Sequence, residues 1–290
     1  MPGRTLYPSE QRFRYPFLTG MAGNLALAAV KLVYGFLWYS RLVLLDGLFS
    51  LMTVMVFLLA WQAEVLEKRR PDARHPYGLG KALFVSMAVV GSLGLVIAIH
   101  MLIHSVWLKG RLDMERSHVG AMLIAIVSVV ANEAFYRYFA EKGKGQQNPI
   151  VAQSARFNRI DAWISAAVLL LVTLSNLGAT YLERLGVATI SIIVVVVAAR
   201  MVYAGFAGIM DKVPTRRILD RIRSCAHSVE DVQDVARIRA RYLGTLLHVY
   251  VWVAIDEDIS MERADVILGN VKARLAKQIP FAGEVNVIIA

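Results

Sequence analysis

Cysteine is almost missing. Its single occurrence in 290 residues, Cys225, excludes an internal disulfide and any metal site built from clustered cysteines. Charge is also scarce, at 19% of residues, where soluble domains carry about 25%. The signatures of enzyme chemistry are lacking too. There is no Gly-x-Ser-x-Gly elbow, no phosphate-binding glycine loop and no His-Glu-x-x-His pair. The chain is therefore read as a non-enzyme without an organic cofactor.

What is present is apolar sequence in long runs. Hydrophobic residues make up 57% of the chain, and the mean hydropathy is +0.52. Six segments stand out, from Pro16 to Trp38, Leu42 to Leu66, Ala82 to Trp107, Val119 to Phe139, Val151 to Leu177 and Leu185 to Met210. Each exceeds the ~20 residues that cross a hydrocarbon core of about 30 Å. The first is too long for a cleavable signal peptide and is interrupted by Asn24 and Lys31. The net charge of +10 does not point to nucleic acid, because the basic residues gather at the ends of apolar runs. Arg4, Arg12 and Arg14, then Lys68, Arg69, Arg70 and Arg74, then Lys142 and Lys144, then Lys212, Arg216 and Arg217 all fall on one side of six spans. Arg41 and Arg184, with Lys109, Arg111 and Arg116, fall on the other. The positive-inside rule then puts both termini in the cytoplasm, with a bacterial inner membrane, or one derived from it, as the expected location.

After Pro214 the pattern changes. Arg216 to Ala226 has helical spacing, Val235 to Tyr242 and Leu247 to Ile255 read as strands about a Leu243–Gly244–Thr245 turn, Met261 to Ile279 reads as an amphipathic helix, and Val285 to Ile289 as a last strand. The expected architecture is a membrane all-α six-helix bundle over residues 1–211, followed by a small cytoplasmic α+β domain over residues 212–290. Arg237, Arg239 and Arg241 share one strand face, read as solvated; a ligand-sensing role for them is a minor alternative.

Ionisable residues in a span cost about 2.5–3.5 kcal/mol each, so each needs a reason. Lys31, His104, Glu133 and Arg200 are expected near span ends, reaching for water, and His100 is expected to pack between helices. Asp46 and Asp161 are too short to reach out. Asp46, Ser50 and Thr53 share one helix face with Phe49 beside them; Asn158, Asp161 and Ser165 share another, next to Phe157. Two readings stand. If the faces meet, their oxygens form an intramembrane site for a hard cation such as Mg, Mn or Fe(II); otherwise each aspartate accepts hydrogen bonds that hold the bundle. In the loop before the third run, Asp72 and His75 form a two-ligand candidate, and two ligands make a weak metal site.

The chain resembles the cation diffusion facilitator family of six-helix exchangers of divalent metal for protons. The resemblance rests on Asn24 and Lys31, on Leu45–Asp46–Gly47–Leu48–Phe49–Ser50–Leu51, on the segment from His75 to Lys81, on Ile160, Asp161 and Ser165, on Asp211 to Pro214, and on the αββαβ tail. It implies a ferredoxin-like cytoplasmic domain and a dimer. It implies a transport site of two ligands four apart on the second span, at Phe49 and Thr53, and two on the fifth, at Phe157 and Asp161. Phe49 and Phe157 cannot ligate, Thr53 offers only a neutral oxygen, and Asp161 alone is kept. Asp46 stands one turn before the first pair. In the loop site Asp72 and His75 match while Leu79 replaces the third ligand. In the tail Trp252, Asp265 and Ile288 stand where zinc-handling members often carry histidine. Lys81 and Asp211 match a cytoplasmic charge interlock. The resemblance thus implies a transporter of a divalent cation (Mn, Fe or Zn class), homodimeric, with a rearranged site of Asp161, Asp46, Asn158, Thr53 and Ser50. The alternative is a transport-incompetent subunit paired with a ligand-complete paralogue.

Overall fold

A computed structural model describes residues 11–67, 72–107, 118–146, 149–177, 181–279 and 282–290. Six long helices come first: α1 (Gln11–Leu37), α2 (Arg41–Glu67), α3 (Ala82–Trp107), α4 (His118–Gln146), α5 (Pro149–Asn176) and α6 (Tyr181–Ile209). Each contains a stretch long and apolar enough to cross a membrane. Several outrun the apolar segments that announce them. α4 continues past Phe139 to Gln146, and α1 begins at Gln11, before Pro16. Backbone hydrogen bonding sustains a helix into the headgroup region, where side chains need no longer be apolar. Pro149 starts α5 at a position where a missing N–H costs nothing.

The chain forms two compact units, one of residues 1–62 and 89–202 and the other of residues 63–88 and 203–290. In the first, α2 is central. Its apolar window is 67% buried, against 17% for that of α3. Leu93, Val96 and Ile103 of α3 are exposed, as suits a lipid-facing stripe. α4 and α5 lie along one another as a hairpin, and α1 packs on α4. The α3–α6 crossing depends on Gly91, because a Cβ there would stand 2.8 Å from the Val202 nitrogen.

The second unit reaches back across the 211/212 composition boundary to include residues 63–88 and the end of α6. Its sheet has the order β1 (Asp234–Leu243), β2 (Leu246–Ala254), β3 (Ala282–Ile289), with β1 antiparallel and β3 parallel to β2. Helices α7 (Arg216–His227) and α8 (Met261–Gln278) complete an αββαβ order. The alternation on β2 puts Leu247, Val249, Val251 and Val253 into the core, against Ile222, Ile267, Val271 and Leu275. Gly244, at φ 67°, makes the β1–β2 turn. α8 begins at Ser260, whose hydroxyl accepts from the Arg263 N–H.

A bulge between Val235 and Arg237 resets β1. Beyond it Arg237 and Arg239 are exposed and lean on the Trp252 ring at 5.7 and 5.9 Å. Arg241 departs from the solvated-face expectation. It is only partly exposed and donates to Asp211 at 3.1 Å. A carboxylate within reach is a better partner for the guanidinium than open solvent alone.

Candidate cation site

Successive turns of α2 bring Asp46 and Ser50 to one face, and successive turns of α5 do the same for Asp161 and Ser165. The two faces meet, and a third group stands between them. The Lys31 ammonium of α1 lies 2.8 Å from Ser50 Oγ, 3.0 Å from Ser165 Oγ, 3.0 Å from Asp46 Oδ1 and 3.4 Å from Asp161 Oδ1. All five side chains are buried, with relative exposures of 0–1%. Gly47 makes the approach possible. A Cβ on it would fall 3.0 Å from both Lys31 Cβ and the Leu32 nitrogen.

The serines tie the cluster crosswise. Each accepts from the ammonium and donates its own O–H to the carboxylate of the opposite helix. Ser50 of α2 donates to Asp161 Oδ1 at 3.0 Å, and Ser165 of α5 donates to Asp46 at 2.9 Å. The three N–H groups of Lys31 match the three nearest oxygens, and Asp161 is served mainly through Ser50. Asp161 Oδ2 has no hydrogen-bond partner among the described residues.

This arrangement overturns the expectation that Lys31 reaches for water. Its ammonium is fully buried because two carboxylates and two hydroxyls solvate it better than a long climb to the interface would. The sequence held a signal for this: Lys31 shares a face with the buried Asn24, Ala28 and Tyr34, while the neighbouring Val30, Val33 and Phe36 are exposed. The other ionisable span residues are placed differently. Glu133 pairs with Arg137 at 2.9 Å, and His100 and Arg200 are exposed. The His104 side chain lies outside the described residues.

Of the remaining site residues, Thr53 is buried but donates to the Phe49 carbonyl of its own helix. Asn158 is buried one turn before Asp161. Neither is among the groups holding the Lys31 ammonium. Phe49 and Phe157 are buried, at 0% and 7% exposure. Among the described residues, no group of three or more His, Cys, Asp or Glu stands close enough to hold a metal ion. A metal at the buried cluster would therefore rest on two carboxylates plus neutral oxygens.

The loop pair is self-contained. Asp72 Oδ1 accepts from the backbone N–H of His75 at 2.6 Å and of Arg74 at 2.9 Å, and meets His75 Nδ1 at 3.2 Å. The His75 N–H holds the Asp72 carboxyl below its ordinary range. Both side chains are at least half exposed, and Leu79 adds no donor, so the pair caps a turn. Further on, Lys81 Nζ lies 3.0 Å from Asp211 Oδ2 and donates to the Ile209 carbonyl. Asp211 also receives Arg241, whose guanidinium stands over the Tyr77 ring. Asp211 adopts φ 54° just past α6, and Lys212 N–H closes on the Ala207 carbonyl, a left-handed helix cap. In the tail Trp252 and Ile288 are cross-strand neighbours and Asp265 is exposed on α8.

Comparison with family models agrees with this architecture. Residues 18–210 match the family model of the cation efflux transmembrane domain, and residues 214–289 match that of the cation efflux cytoplasmic domain, a dimerisation domain. The manganese efflux system protein MneP of Bacillus subtilis is 24% identical, with 95% of each chain covered. The magnetosome protein MamM of Paramagnetospirillum magneticum is 28% identical over 88% of this chain and 80% of its own. The putative transporter MamV of the same organism is 28% identical over 99% of this chain and 87% of its own. A solved variant of the MamM C-terminal domain shares 26% identity, covering 26% of this chain and 89% of that one, with a TM-score of 0.25. The chain is an integral membrane protein that belongs to the cation efflux family.

Proposed function

We propose that this protein exchanges a divalent metal cation for protons across the membrane, through the oxygens of Asp46, Asp161, Ser50 and Ser165. One observation carries the reading: carboxylates from α2 and α5 converge on a single cationic group, the Lys31 ammonium. The set is all oxygen, which favours Mn(II) or Fe(II) over zinc, and the relative from Bacillus subtilis is a manganese efflux protein. Asp161 Oδ2, without a hydrogen-bond partner among the described residues, keeps its lone pairs for an ion. Metal binding needs ionised carboxylates, so protons compete with the ion at the same oxygens and its release is coupled to proton entry. The working unit is a homodimer with both termini in the cytoplasm of a bacterial cell, and rocking of the bundle alternates access to the site.

The test is metal-dependent proton flux in proteoliposomes with Mn, Fe, Co, Zn, Cd and Mg in turn. Flux with at least one ion, abolished by Asp161→Ala, is the expected result. Silence with all six ends the proposal. A second reading draws on buried Phe49 and Phe157, which put aromatic rings at two of the four family ligand positions. Under it the protein is a transport-incompetent subunit that pairs with a ligand-complete paralogue. Co-purification from cells expressing both separates the two. Only homodimers count against the second reading, and a heterodimer with altered metal uptake supports it.

A further inference from the structure

We infer that Lys31 is the resident cation of the intramembrane site: its ammonium occupies the place a metal ion would take, and loading requires Lys31 to leave. The inference rests on reading Asp46 and Asp161 as the cation site. It adds a built-in competitor, supplied by the chain itself.

Geometry carries the argument. The ammonium is not beside the four oxygens but among them, at 2.8–3.4 Å from each. A metal ion binds oxygen at about 2.0–2.6 Å, so it would have to occupy nearly the same point. Ion and ammonium exclude each other by volume and by charge repulsion. Charge counting gives the same result. Two carboxylates and one ammonium leave one negative charge in the cluster, whereas two carboxylates and a divalent ion leave none. The site is thus formally better matched to a divalent ion once the ammonium is out.

An exit exists. Lys31 lies six residues before the end of α1 at Leu37, a rise of about 9 Å. A four-carbon stem, swung against the N-terminal lean that a helix gives its side chains, spans part of that distance toward the headgroups. The water-seeking placement first expected for Lys31 then becomes its displaced state. The same contacts join α1, α2 and α5 through one ammonium, so removing it takes away the polar tie among the three helices. The two placements of Lys31 are the two positions of a switch that metal binding biases.

A structural ion pair makes a different prediction, and the experiment separates them. Wild type, Lys31→Ala and the charge-balanced Lys31→Ala/Asp46→Asn are purified as full-length protein in detergent, each from cells grown with and without added manganese. Manganese chloride and methylammonium chloride are titrated into each by calorimetry and by thermal melting. The inference expects Lys31→Ala to melt below wild type, to be restored by manganese and more weakly by methylammonium, and to bind manganese about tenfold or more tighter, because the competitor is gone. The double variant, with one charge as in wild type, is expected to melt without a manganese shift. Recovery of Lys31→Ala only from manganese-supplemented cells also supports the inference. Lys31→Ala that binds no tighter than wild type overturns it. So does Lys31→Ala that unfolds with or without manganese while the double variant stays folded. The two readings fail separately. Wild-type flux with unchanged affinity in Lys31→Ala keeps transport and removes the resident cation; tight binding in Lys31→Ala with no wild-type flux does the reverse.

Discussion

Ser165 and Thr53 show how much depends on where a hydroxyl points. Both are buried side chains on polar faces of central helices. Ser165 accepts from Lys31 and donates to Asp46, linking α1, α5 and α2. Thr53 donates only to the carbonyl one turn back on its own helix. Ser165→Ala therefore leaves two charged groups short of a partner, and is expected to cost about 1–3 kcal/mol. Thr53→Val removes a local bond that the helix does not need, and is expected to cost less than about 1 kcal/mol. Denaturation midpoints in detergent decide the point, and equal losses in the two variants would refute the crosswise serine tie.

At the scale of elements, close approach is set by what is missing from a surface. Gly47 of α2 lets α1 come near enough for the Lys31 ammonium to reach α5. Gly47→Leu pushes a side chain into the Lys31 stem and the Leu32 backbone, and is expected to cost about 1–3 kcal/mol as an overpacking strain. Gly269, inside α8, is the contrast, since a Cβ there meets nothing within 4 Å. Gly269→Ala is expected to raise the stability of the tail by roughly 0.4–1 kcal/mol by restricting the unfolded chain. Melting of the two variants in parallel checks both, and a stabilised Gly47→Leu would show that α1 and α2 are not in register at Lys31.

For the molecule as a whole, one carboxylate, Asp211, ties the end of α6 to both Lys81 and Arg241, residues remote from it in the chain. Burial pushes Asp211 up, but hydrogen bonds and charge from Lys81 and Arg241 outweigh it and hold the group below its ordinary range. The folded state is thus the one that prefers ionised Asp211. Its contribution is complete above the ordinary carboxylate range near pH 4 and is lost as pH falls through the depressed folded value. Asp211→Asn should therefore lower stability at neutral pH and flatten the acid side of the stability profile. Melting temperatures of wild type and Asp211→Asn between pH 7 and pH 3 test this, and parallel curves would remove Asp211 from the account. Under the proposed function the cation site lies in the other unit, so metal flux at pH 7 is expected to fall less in Asp211→Asn than in Asp161→Ala.

Sequence alone was enough for the six spans, the αββαβ tail and the two polar faces, because each is periodic and local: a span is a run of apolar residues, a strand an alternation, a helix face a spacing of three or four. Asp46 and Asp161 could be singled out the same way, since a carboxylate in an apolar run is costly wherever the run packs. Tertiary structure decided what those carboxylates face. Whether Lys31 climbs to the interface or fills the gap between α2 and α5 depends on the rotation of α1 and on Gly47, and Arg241 is drawn to Asp211 only once distant segments have met. A charge buried in hydrocarbon is stabilised by partners remote in the chain, and no local pattern of residues specifies which ones arrive.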